Sequence, residues 1–314
     1  MVKYAMVTGG VGFIGSNLVE KLVESDYYVI IIDNLSTGSL DNIRVPLTKI
    51  KLISGDCSTI DTLELPDLEI IYHLGIPSSS PMYREDPKLM GETITTFIRI
   101  LERVKRDFPR TKVVYASTSS LYNGNKTPYK EDMEIYIKDY YSECRYAMER
   151  LANLYYGLHA IKSIGLRFFS VYGPHEEYKR YYANVITQFL WKIRNGQRPV
   201  IYGDGNQSRD FVYVEDAINA CILAAKSKIE CDIFNVGTGI ETNFNQIIEL
   251  LNSQLGTGVK PKYSKNPIKN YVQNTLADTT KATKELGFIA KCTLEEGINK
   301  SIKYLNEEVQ SKGL

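Results

Sequence analysis

Histidine is scarce in this chain, three in 314 residues, and tryptophan occurs once. His73, His159 and His175 lie far apart in the sequence, so no metal centre built on histidine is expected. The cysteines, Cys57, Cys144, Cys221, Cys231 and Cys292, are odd in number and never in C-x-x-C spacing. That pattern argues against a zinc site and a disulfide framework, and for reduced thiols in a cytoplasm. No apolar run approaches the roughly 18 residues that span a bilayer. The opening MVKYAMVTGG runs straight into glycines, which suits neither a signal peptide nor a membrane span. Net charge is +1, which leaves no electrostatic footprint for nucleic acid or an anionic membrane surface.

Short β-branched runs are what the chain has in quantity. Lys3–Thr8, Tyr28–Asp33, Lys51–Ser54, Ile70–His73, Lys112–Ala116 and Ser163–Arg167 read as strands. Amphipathic stretches lie between several of them: Ile14, Leu18 and Leu22 beside Val19 and Val23, then Ile94, Ile98, Leu101 and Val104. Strands alternating with helices imply an α/β fold, a doubly wound parallel sheet covered on both faces. Beyond about Gly173 the pattern loosens, and the last sixty residues read as mainly helical, on Leu250, Leu251, Leu255, Ile298, Ile302 and Leu305. A first domain over 1–172 and a smaller second over 173–314 are expected, with segments near 209–236 packing back on the first.

VTGGVGFIG, Val7 to Gly15, follows the first strand and opens the first helix. Gly10, Gly12 and Gly15 fit G-x-G-x-x-G, and Gly9 adds an overlapping frame. Missing side chains let the backbone approach a pyrophosphate whose charge faces the helix N-terminus. The next strand ends in Asp33, eighteen residues past Gly15. A carboxylate there accepts hydrogen bonds from ribose hydroxyls and repels a 2′-phosphate, which favours NAD over NADP. Asp56 in SGDC is either a contact to the adenine edge or a simple turn aspartate.

Together with those motifs, DNLSTG (33–38), YHLGIPSSSP (72–81), YASTSSLYN (115–123), LRFFSVYGP (166–174), IYGDGNQSRDFVYVEDA (201–217), FNVGTG (234–239) and LADTTKATKELGF (276–288) run nearly end to end. In these the chain resembles the extended short-chain dehydrogenase/reductases, specifically their nucleotide-sugar epimerase and dehydratase branch. The resemblance implies a Rossmann domain with a smaller domain closing over a nucleotide sugar, resident NAD and a homodimer. It places the cofactor on Gly9, Gly12, Phe13, Ile14, Gly15, Asp33, Asn34, Ser36, Thr37, Gly38, Asp56, Cys57 and Leu74, with Tyr141 and Arg145. It places the substrate on Ser170, Tyr202 and Arg209.

The family's catalytic group is a Ser/Thr, a Tyr and a Lys, the last two spaced Tyr-x-x-x-Lys. By that resemblance the hydroxyl falls on Thr118 and the base on Tyr141, in DYYSECRYAME, with Arg145 where lysine is expected and Glu149 four residues on. Tyr122 and Lys126 share the spacing but lie in a loop; Tyr146 and Arg150 lie five residues out of register. Free tyrosine titrates near pH 10, so a phenolate at neutral pH costs about 4 kcal/mol. Arg145 is one turn away on the same helix face. It either supplies the stabilising charge, without being able to relay a proton, or is a surface arginine. Ser170 stands where the family often has Asn and His175 where it has an arginine, which shortens two expected contacts to the substrate diphosphate. Arg209 is either a planar fork for that diphosphate or a salt bridge to Asp210. Lys269 is a stand-in for a second phosphate-binding arginine. Ser119 and Ser120 follow Thr118 where dehydratases carry an Asp-Glu pair. Epimerisation of a UDP-sugar at C4 is therefore expected. A UDP-glucuronate decarboxylase and an NAD-binding regulator without catalysis stay open.

Overall fold

The computed structural model describes residues 2–267 and 271–312. The first half runs β1 (Lys3–Thr8), α1 (Phe13–Glu24), β2 (Tyr27–Asp33), β3 (Ile50–Ser54), β4 (Ile70–His73), α2 (Ser80–Glu85) and α3 (Lys88–Asp107). It continues with β5 (Lys112–Thr118), α4 (Tyr140–His159) and β6 (Ser163–Phe168). The second half runs β7 (Ser170–Tyr172), α5 (Val185–Arg194), β8 (Val200–Tyr202), β9 (Ser208–Tyr213), α6 (Val214–Lys226) and β10 (Cys231–Val236). It ends with β11 (Glu241–Asn243), α7 (Phe244–Leu255), β12 (Lys262–Ser264) and α8 (Leu294–Lys312).

Seven strands form one sheet in the order β10-β6-β5-β4-β1-β2-β3, every pair parallel. Alternation along each strand sorts side chains onto two cores. Ala5, Val7, Val29 and Ile31 face Leu18, Val19 and Leu22 of α1 and Ala217, Ala220 and Ala224 of α6. Met6, Ile30 and Ile32 face Phe97, Ile100, Leu101 and Val104 of α3 and Met148 and Ala152 of α4. Each such large side chain contributes roughly 1.5–3 kcal/mol by leaving water. The α3 stripe is turned from the expected one: Phe97 and Ile100 are fully buried, whereas Ile94 and Ile98 are half-buried.

The sheet's seventh strand comes from the second half, which also supplies α6, so the chain returns to the first layer after leaving it. What remains is a three-stranded sheet, β11-β9-β7, and the β12-β8 pair. The expectation of a mainly helical last stretch is corrected. Leu250, Leu251 and Leu255 lie on α7 and Ile298, Ile302 and Leu305 on α8, but β12 and mostly irregular chain separate the two helices. Gly256 ends α7 in a left-handed cap at φ 64°, and Pro261 and Pro267 follow, residues that no helix interior tolerates.

His175 is also corrected. It does not line the cleft described below. It is buried against α1, its Nδ1 hydrogen-bonded to Ser16 Oγ at 2.8 Å, with the Tyr304 ring of α8 5.5 Å away. Burial, with Arg44 nearby and against the pull of Glu308, lowers its pKa to about 4. The neutral ring is therefore the folded form. Stability from this site is complete above the unfolded histidine pKa of ~6.5 and is lost as pH falls toward the folded value, by at most about 3 kcal/mol. Its φ of 73° is one that asparagine tolerates. His175→Asn should unfold over a narrower range of urea midpoints between pH 7 and pH 4.5 than the parent does; equal pH dependence would refute the assignment.

Candidate active site

Strand order reverses between β1 and β4, and the carboxyl ends of these strands open a crevice where open α/β sheets take ligands. A cleft of about 570 Å³ occupies it. At its floor Gly9 has φ 70°, and a Cβ there would meet the Gly75 backbone at 2.6 Å. A Cβ on Gly15 would sit 2.0 Å from the Gly9 carbonyl oxygen. The turn thus closes only with glycine, and it delivers the N-terminus of α1 to the cleft with no side-chain cap and no acidic residue in its first turn. Such an end attracts a phosphate. Asp33 closes β2 beside it. One carboxylate oxygen accepts the Val11 N–H at 3.0 Å and the other the Leu35 N–H at 2.8 Å. Burial raises its pKa, and those backbone donors work against the rise. The same carboxylate that faces the cleft therefore also braces the glycine turn.

Every residue that the resemblance assigns to the cofactor lines this one cleft: Gly9, Gly12, Phe13, Ile14, Gly15, Asp33, Asn34, Ser36, Thr37, Gly38, Asp56, Cys57, Leu74, Tyr141 and Arg145. Asp56 is a turn residue as well as a lining one, because its carboxylate accepts the Ser58 N–H at 2.8 Å. The glycine cradle, the uncapped helix end and the carboxylate on β2 suit a dinucleotide.

Thr118 ends β5, with its hydroxyl oxygen accepting the Ser120 N–H at 3.1 Å; the O–H proton is left to donate. Tyr141 sits in the first turn of α4, which Asp139 caps by accepting the Ser142 N–H at 2.7 Å. Its ring packs on Tyr83, centroids 5.5 Å apart. Arg145 is not a surface arginine: it is 3% exposed. Its guanidinium lies over the Tyr141 ring, 5.0 Å from the centroid. Nη1 donates to the Ala116 carbonyl at 3.3 Å and Nη2 to that of Pro77 at 2.9 Å, while Nε is buried without a partner. Among the described residues no carboxylate pairs with it. Burial works against its charge, but Tyr141, Tyr83 and Cys144 outweigh that and hold its pKa above the ordinary value. Glu149, four residues on, is committed to Arg167 at 2.7 Å. Tyr122 is buried in that same network, and neither it nor Tyr146 lines the cleft.

On the substrate side Ser170 lines the cleft, and its hydroxyl accepts the Asn184 amide at 2.9 Å. Asn184 also lines the cleft; as an isolated asparagine before a helix it carries no readable signal beyond an N-cap. Arg209 is not paired with Asp210. That carboxylate is buried and accepts the N–H groups of Thr238, Gly239 and Ala277. Arg209 instead lines the cleft between the Tyr271 and Phe244 rings, held by the carbonyls of Ser208, Val272 and Gln273. It is a cation without a carboxylate among the described residues. Tyr202 does not line the cleft; it is 40% exposed at the end of β8. Lys269 lies outside the described residues. His73, unassigned from sequence, lines the cleft with Nδ1 2.8 Å from Thr8 Oγ1, and burial lowers its pKa to about 3.

Comparison with known proteins agrees with this geometry. The chain is 34% identical over 308 residues to a putative UDP-glucose 4-epimerase of Methanocaldococcus jannaschii, covering 96% of this chain and 97% of the relative. Among solved structures it is similar to a UDP-N-acetylglucosamine 4-epimerase from Methanobrevibacter ruminantium in complex with UDP-N-acetylmuramic acid, with TM-score 0.92, 30% identity and coverage of 98% and 99%. It is equally similar to a UDP-glucose 4-epimerase of Thermotoga maritima with UDP-glucose, with TM-score 0.91, 30% identity and the same coverage. The model of one family matches residues 5–237, from within β1 to just past β10, and so the chain belongs to the NAD dependent epimerase/dehydratase family, with NAD as its cofactor.

Proposed function

We propose that this protein interconverts UDP-sugars that differ in configuration at C4, UDP-glucose and UDP-galactose or an N-acetylated or uronate pair. One observation carries the reading: Thr118, Tyr141 and a buried Arg145 without a carboxylate partner line the same cleft as the dinucleotide cradle. Tyr141 takes the proton of the C4 hydroxyl while the Thr118 hydroxyl holds the reacting oxygen in place. NAD, held by the glycine turn and Asp33, would supply reversible hydride transfer at C4. Arg145 provides permanent charge beside the phenol, and its carbonyl anchors keep it from following the proton. Arg209, flanked by two rings, offers a planar fork to the substrate diphosphate. Between the two half-reactions the 4-keto sugar turns to present its other face for hydride return, and Tyr141 gives its proton back to the C4 oxygen. Ser119 and Ser120 bear no carboxyl that could protonate a leaving hydroxyl, which argues against dehydration.

Incubating the purified protein with UDP-glucose should give UDP-galactose at equilibrium with no net NADH released; UDP-N-acetylglucosamine and UDP-glucuronate are run alongside. Loss of CO₂ from UDP-glucuronate would replace the reading with a decarboxylase. Retained NAD with no turnover of any UDP-sugar would replace it with a regulator.

A further inference from the structure

We infer that Lys179 is a cofactor-binding residue, carried on a strap that closes over the diphosphate of NAD. Residues 176–183 leave the second half of the chain and cross to the first. The Tyr178 hydroxyl donates to Asp41, just past the ribose-side loop. Those of Tyr181 and Tyr182 donate to Glu85 at the end of α2, at 3.0 Å and 2.6 Å. Between these two tethers lies Lys179, which lines the cleft.

Its ammonium sits 5.1 Å from the centroid of the Phe13 ring. Phe13 is the first residue of α1, whose backbone N–H groups make the phosphate site. The cation therefore stands at the same helix end as that site. Glu176 fixes it there, accepting from Nζ at 3.0 Å. Glu176 is itself fully buried and also accepts the Asn184 N–H at 2.9 Å and the Thr187 hydroxyl. An ammonium has three N–H donors, so one bond to Glu176 leaves two for phosphate oxygens. The helix end offers partial positive charge, and Lys179, although paired with Glu176, offers its two remaining N–H donors. The backbone at Arg180, φ 50° and ψ −123°, marks the sharp bend that turns the strap toward Glu85.

The inference rests on the dinucleotide cleft and needs no sugar chemistry, so its test reads cofactor release. NAD-loaded parent, Lys179→Met and Lys179→Arg proteins are diluted into excess 1,N6-etheno-NAD, and exchange is followed by fluorescence. Lys179→Met should exchange about ten-fold faster or more, the usual worth of a charge-assisted hydrogen bond, and Lys179→Arg should recover most of the retention. Exchange at the parental rate in Lys179→Met would overturn the inference. So would a variant whose only defect is weaker binding of UDP, since that would assign the lysine to the substrate's diphosphate. A protein that turns over no UDP-sugar, yet loses NAD faster in Lys179→Met, upholds this inference while refuting the proposed function.

Discussion

Tyr141→Phe should lower kcat for UDP-sugar interconversion about 10³-fold while NAD stays bound. The change removes one oxygen and keeps the ring that packs on Tyr83 and under the Arg145 guanidinium, so the fold should be unaffected. What disappears is the acceptor for the C4 hydroxyl proton. General base catalysis contributes between about 10² and 10⁴ in rate, and the Thr118 hydroxyl is too weak a base to replace a phenolate. His73 does not compensate either: its Nδ1 is occupied by Thr8, and burial keeps its basicity far below that of free imidazole. Measuring kcat beside the NAD content of the purified variant separates lost chemistry from lost cofactor. Activity within ten-fold of the parent, with NAD present, would remove Tyr141 from the mechanism.

The same stretch shows what a sequence can and cannot disclose. Tyr141 and Arg145 are one helical turn apart, and that spacing is readable. The partners of Arg145 are not, because they are main-chain carbonyls of Pro77 and Ala116, contributed from beyond β4 and from within β5. A carbonyl has no sequence signature. Arg209 presents the same difficulty, with its neighbouring Asp210 as an attractive but wrong partner; three backbone N–H groups had already claimed that carboxylate. Tyr202 lies off the cleft for a reason of period. Ile201 is buried on β8, so its neighbour must point the other way.

Strands β1 and β4 were legible to the residue because each carries a short, mostly apolar run buried on both faces, residues 5–7 and 70–72. β10 was harder, since CDIFNV carries Asp232 and Asn235 inside a parallel strand. Asn235 is fully buried. It is there for a polar network, not for the core, and no hydrophobic period can reveal such a residue. Its side chain accepts from the Tyr122 hydroxyl at 2.7 Å and donates to the carbonyls of Tyr129 and Asp278 at 2.8 Å and 3.1 Å.

That network sets the largest stability effect expected for a single side chain. At its centre Arg167 grips Glu149 with two parallel bonds, Nε to Oε1 at 2.9 Å and Nη2 to Oε2 at 2.7 Å, both side chains at most 3% exposed. Ser117, from the cleft wall, donates to the same carboxylate at 2.5 Å, and Arg167 also reaches Tyr122 at 2.7 Å. Arg167→Leu would leave a buried carboxylate without its cation, a change that costs about 3–5 kcal/mol. Removing both charges at once, with Glu149→Leu added, leaves no orphaned ion, and the double variant should regain much of the loss. Urea midpoints of the parent, the two single variants and the double variant give the coupling directly. Because Glu149 stands two turns beyond Tyr141 on α4, the single variants should also lose activity under conditions where they remain folded. Additive losses across the cycle would mean that the pair is not what ties α4 to β6 and, through Tyr122 and Asn235, to the second half of the chain.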